Sequence, residues 1–115
     1  TLPNPALYST ARTITFPVDS DLMKYILQNS PLKHPNAKPN EVSTQLNLLN
    51  IGPAQILTIP GEALPNIGFY LKRNMNTKYP FLFGLTNDAF GYMLTKVDFN
   101  SFKINPEMRF KIIVL

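Results

Sequence analysis

Residues 56–92 most constrain how this chain folds. They hold two short apolar runs, one closing on Ile56-Leu57-Thr58-Ile59 and one covering residues 79–85, with a helix-like segment between them. Each run stops at a turn that carries polar or ionisable groups. The first ends at Pro60-Gly61-Glu62 and the second at Gly84-Leu85-Thr86-Asn87-Asp88. A buried strand that ends in such a turn leaves its polar residues at the edge of a sheet, where α/β proteins usually keep their sites. A functional site is therefore expected in this stretch.

The flanking sequence supplies the rest of a mixed fold. Residues 1–10 carry two prolines and no periodicity, which predicts an extended lead-in. Residues 11–18 alternate, with Ile14, Phe16 and Val18 on one face, as a half-buried strand does. Asp19 or Ser20 can cap a helix over 21–29 whose apolar residues Leu22, Met23, Ile26 and Leu27 fall on one side. Residues 30–40 hold three prolines, two lysines and the single histidine, His34, and read as an exposed loop. Strands over 42–49 and 54–59, joined through Asn50-Ile51-Gly52-Pro53, make an antiparallel hairpin.

Past Pro60-Gly61 a helix is expected over 64–74, with Pro65 in its first turn. Leu64, Ile67, Leu71 and Met75 form its sheet-facing stripe, while Lys72 and Arg73 sit at its C-terminal end, where positive charge suits the helix dipole. The nearly unbroken apolar run 79–85 suits a central strand covered on both faces. Further strands are expected over 90–97 and 109–115, separated by a turn-rich segment over 98–107. The expected fold is α/β or α+β: a mixed sheet with an antiparallel hairpin and two main helices packed on it. Residues 1–115 form a single domain, and the chain's beginning at Thr1 and ending on an apolar run suggest a fragment of a larger catalytic domain.

Composition narrows the chemistry. An apolar content of 44% excludes general disorder, and the lack of cysteine excludes disulfides, thiolate metal sites and thiol nucleophiles while leaving the compartment open. The net charge is +4, but the basic residues are scattered, with Lys72-Arg73 the nearest approach to a cluster. That pattern describes a solvated basic surface, and no nucleic-acid partner is expected. No apolar run approaches the roughly 18 residues of a bilayer-crossing helix, so no transmembrane segment is expected.

Within the organising stretch, Glu62 has two readings. A carboxylate between a Pro-Gly turn and a helix is favoured there by the dipole alone, or it is a metal ligand or general base held at a strand end. Asn87 and Asp88 are ordinary turn formers. Tyr92 is either a packing residue of its strand or an oxygen donor to a metal. His34, an imidazole in a proline-rich loop, is expected to be exposed and without function. Phe81, Phe83, Phe90, Phe99 and Phe102 sit in strand patterns without flanking basic residues, as core aromatics do. No metalloprotease, nucleophile-elbow or phosphate-loop motif is present.

The order of these motifs resembles that of the neutral ceramidases and their microbial relatives. The residues that carry the resemblance are Leu46, Leu49, Ile51, Gly52, Ile56, Ile59, Pro60, Gly61 and Glu62, followed by Gly84, Leu85, Asn87, Asp88, Gly91, Tyr92 and Thr95. Neutral ceramidases are zinc-dependent amidases that cleave the N-acyl bond of ceramide. The resemblance implies that Glu62 and Tyr92 take the places of the family's glutamate and tyrosine zinc ligands, with Asn87 and Asp88 in a supporting loop. It also implies a lipid-like amide substrate for the whole protein. The family's other ligands are upstream histidines, and His34 lies in no matching motif. The family's Tyr-Glu pair has no counterpart in residues 98–107. A catalytic zinc needs about three protein ligands plus water, so no zinc and no amide hydrolysis are expected of these residues alone. The alternative is a noncatalytic binding or structural module on the same frame.

Overall fold

The computed structural model describes residues 6–31, 38–101 and 112–114. The expected loop around His34, most of the segment over 98–107 and the lead-in through Pro5 lie largely outside the described residues, as does Phe102. Within them the chain forms an α+β arrangement of two sheets and three helices.

The larger sheet has four strands in the order β1 (Leu7–Pro17), β2 (Glu41–Ile51), β3 (Ala54–Thr58) and β5 (Tyr79–Phe83). β1 and β2 pair antiparallel along their whole length, from Leu7 opposite Ile51 to Pro17 opposite Glu41. The β2–β3 hairpin turns at Gly52, whose φ of 56° lies in the left-handed region that glycine enters at little cost. β5 then joins β3 in parallel. The smaller sheet is parallel throughout and runs β4 (Glu62–Ala63), β6 (Tyr92–Leu94), β7 (Ile112–Val114).

α1 (Asp21–Asn29) begins as its sequence requires, with the Ser20 hydroxyl accepting from the Met23 backbone N–H at 3.4 Å. None of its residues is buried, and Leu22, Tyr25 and Ile26 are exposed, so its apolar stripe packs only loosely. α2 (Pro65–Asn74) follows β4, with Pro65 at its first position, and it buries Ile67. Ile67 joins Ile59 and Met93 in the core, with Ala63, Leu71 and Leu82 packed around them. This core is where α2, the end of β3 and the two sheets meet.

Two expectations change. β5 is not a central strand: among the described residues it ends its sheet. Its side chains alternate, with Pro80 and Leu82 half-buried while Tyr79, Phe81 and Phe83 are exposed. A run that is apolar on both faces cannot by itself reveal that only one face is covered. Phe81 and Phe83 are therefore not core, whereas Phe90 packs edge-on against Phe16 with ring centroids 6.5 Å apart.

The second change follows β6, which is only three residues long. The chain turns at Thr95 into α3 (Lys96–Ser101). Thr95 Oγ1 accepts from the Asp98 N–H at 3.1 Å and donates to Asp98 Oδ2 at 2.7 Å, and the Thr95 N–H reaches the same carboxylate. This is a capping box, in which each residue satisfies a donor that the helix start would otherwise leave free.

Candidate functional site

The segment Ile59-Pro60-Gly61-Glu62 carries the chain from the larger sheet to the smaller one, and it is hydrogen-bonded on both sides. Toward the end of β5, Ile59 N–H donates to Phe83 O at 2.8 Å, Leu85 N–H to Gly61 O at 3.1 Å and Thr86 N–H to Ile59 O at 3.1 Å. Toward the start of β6, Phe90 N–H donates to Pro60 O at 2.8 Å and Glu62 N–H to Gly91 O at 2.9 Å. Pro60 is fully buried in this crossing.

Only glycine fits at its centre. A Cβ on Gly61 would lie 2.5 Å from the Gly91 carbonyl oxygen and 3.0 Å from Met93 Cγ, and one on Gly84 would lie 2.9 Å from the Gly61 oxygen. Gly91 also needs its freedom, with φ at 89°. The loop between these contacts holds two further left-handed residues, Leu85 at φ 51° and Asn87 at φ 70°. A leucine in this region is uncommon and strained, and the bonds on either side of Leu85 hold it there.

This crossing places the expected site residues. Glu62 and Tyr92 are register partners in the β4–β6 ladder. Parallel partners project from the same face of a sheet on strands about 4.8 Å apart, so the carboxylate and the phenol start from neighbouring points on one surface. Both residues are exposed. Among the described residues, neither side chain makes a hydrogen bond or an ion pair. Glu62 is therefore a strand residue and not part of the helix start: the first turn of α2 contains no acid, and Leu64 is its N-cap. The dipole explanation of its position falls away.

Asn87 and Asp88 lie in the loop between Leu85 and Phe90 that flanks the crossing. The Asn87 side-chain amide donates to Gln45 O at 2.8 Å, which ties the loop to β2 and gives Asn87 a turn-holding role. Asp88 is half-buried beside it. Sequence reasoning passed over Gly61, Gly84 and Gly91 as positioning residues. Their signal was the spacing of three glycines around the two turns, each of which brings one backbone against another.

Asp98 serves the frame and leaves the site alone. Its carboxylate accepts from Thr95 and from Asn66 Nδ2 at 2.7 Å, joining the start of α3 to the start of α2. The Thr95 hydroxyl, more than any other contact, holds its pKa below the usual carboxylate value; desolvation opposes it, and Asn66 and the Thr95 N–H add to the lowering.

As a zinc site the described residues are incomplete. Glu62 and Tyr92 provide two oxygens where a catalytic zinc takes about three protein ligands. Among the described residues no group of three or more His, Cys, Asp or Glu side chains is placed to hold a metal ion, and His34 lies outside them. No described helix is long and apolar enough to cross a membrane. Compared with known proteins, the chain matches no family model, no curated protein and no solved structure.

Proposed function

We infer that this chain is part of a zinc-dependent amide hydrolase resembling the neutral ceramidases, contributing Glu62 and Tyr92 as paired oxygen donors. The observation that supports this most is the β4–β6 register. Glu62, from the first polar turn, and Tyr92, four residues past the second, stand side by side on one surface with their oxygens uncommitted. The two share a ladder position, are exposed together and adjoin a buried crossing that is hydrogen-bonded on both sides. The remaining ligands of such a centre are not among the residues described, and these residues alone do not hydrolyse amides.

The test is zinc content and N-acyl hydrolysis of the protein as it occurs in the cell, beside Glu62→Ala and Tyr92→Phe. The expected result is bound zinc in the natural protein. Its affinity falls in Glu62→Ala by more than the roughly 10–100-fold typical of losing a residue that merely supports a ligand. Zinc held equally well by both variants, or no zinc in the natural protein, overturns the reading. The second reading, a noncatalytic binding or structural module, is favoured by the incomplete ligand set among the described residues.

A further inference from the structure

The outer face of α2 has no part in the Glu62–Tyr92 surface or in the core. Its inner face is spent on Ile67 and Leu71, which leaves Phe69 and Tyr70 outward at 62% and 63% exposure. Lys72 and Arg73 follow Phe69 by three and four positions, which on a helix puts all three on one side. Together with Pro80 of β5 they line an open surface groove. Arg73 Nε donates to the Phe69 backbone carbonyl at 3.2 Å, which ties the guanidinium back to the preceding turn of the helix.

Charge in this region is one-sided. From Ala63 to Asn87 the sequence contains Lys72, Arg73 and Lys78 and no acidic residue, so this stretch carries three of the chain's four net positive charges. Among the described residues none of these three cations meets a carboxylate, and the ion pair that is formed, Lys24 with Asp21, lies on α1. Lys78, just before β5, lies 5.7 Å from the centre of the exposed Tyr79 ring, on the face of that strand opposite Pro80, so Lys72 and Arg73 are the cations of the groove itself. Unpaired cations interleaved with exposed aromatics are the composition of a surface that rests at a membrane interface. The rings enter the headgroup boundary while the cations stay at the anionic surface.

We propose that the groove between α2 and β5 docks this protein onto anionic phospholipid, with Phe69 entering the interface and Lys72 and Arg73 contacting lipid phosphates and carboxylates. The groove's two cations, Lys72 and Arg73, are few for tracking a nucleic-acid backbone, and its apolar lining of Phe69 and Pro80 has no use there. The proposal stands on different residues from the zinc reading and survives or fails without it.

The test is co-sedimentation of the 115-residue chain with vesicles of phosphatidylcholine alone and of phosphatidylcholine mixed with phosphatidylserine, at low and physiological salt. Binding is expected on the serine-containing vesicles only, weakening as salt rises. The exposed-residue variant Lys72→Ala/Arg73→Ala, its fold checked by circular dichroism, is expected to bind about 25-fold more weakly, roughly fivefold for each charge. Phe69→Ser is expected to weaken binding severalfold at unchanged charge. Equal binding to neutral vesicles, unchanged binding of the double variant, or no binding at low salt overturns the proposal. So does a Phe69→Ser variant that binds normally while RNA or an acidic peptide competes fully, which would mark a general polyanion surface.

Discussion

The crossing at Pro60-Gly61 and the β1–α1 arm are built on opposite principles. β1 is a long strand paired along one side, and most of its side chains are exposed. α1 has a well-formed cap and buries nothing. The crossing has little regular structure, with β4 only two residues long, yet it contains the fully buried Pro60 and backbone contacts too close for any side chain. Regular hydrogen bonding and tight packing are thus separable. The arm is specified by local patterns, and the crossing by atoms that meet across the chain.

Substitutions break this contrast in order of effect. Gly61→Ala is expected to cost about 3 kcal/mol or more, because its Cβ meets a backbone oxygen that no rotamer change can move. Gly68→Ala is the control. On α2 the added methyl meets Leu82 Cδ2 at an ordinary 4.0 Å, and helix propensity predicts a gain of about 0.5–1 kcal/mol. Urea denaturation of the two variants gives opposite signs if the crossing is as rigid as its contacts require.

Core truncation comes next. Met93→Ala removes a buried member of the Ile59–Ile67–Met93 cluster and is expected to cost about 2–3 kcal/mol, the lower range for such deletions because methionine packs adaptably. Leu22→Ala on α1, where the side chain is 46% exposed, is expected to cost less than about 1 kcal/mol. Equal losses would mean that α1 packs far more tightly than its exposure indicates.

The smallest effect tests the α3 start. Thr95→Ala removes both hydrogen bonds of the Thr95 hydroxyl, leaving of the capping box only the backbone N–H on Asp98, and is expected to cost about 1 kcal/mol. The same variant alters the acid limb of stability. The folded pKa of Asp98 lies below its usual value of 3.8, so the unfolded chain takes up its proton first as pH falls. The stabilisation is complete above that value and is lost as pH drops through the lower folded value. The natural protein should lose stability more steeply below pH 3.8 than Thr95→Ala, as denaturation midpoints across that range will show.

What the sequence revealed follows the same division. The limits of α1, a cap at Asp19 or Ser20, the β2–β3 hairpin and the Ile67–Leu71 stripe depend on residues a few positions apart and were legible, although which of the two residues caps was not. The start of α3 was equally local, since Thr95-x-x-Asp98 is a capping-box pattern, but it was hidden by an apparent continuation of strand alternation through Val97. The edge position of β5 was not legible, because Tyr79–Phe83 is apolar on both faces and its neighbours are decided elsewhere. Glu62 and Tyr92 were each legible as candidates. Their pairing depends on a parallel ladder between distant segments, and no spacing rule within the chain encodes it.

The partners of the crossing also determine when it can form. The β2–β3 hairpin closes a short loop, whereas every bond that fixes Ile59 to Glu62 waits for residues between Phe83 and Gly91 to return past α2. Loop-closure entropy makes such distant contacts slow to form compared with a hairpin. The Glu62–Tyr92 surface is therefore a late product of folding. A nascent chain that has emerged only as far as α2 carries Glu62 without its ladder partner, and both β4 and the surface first exist when Tyr92 arrives.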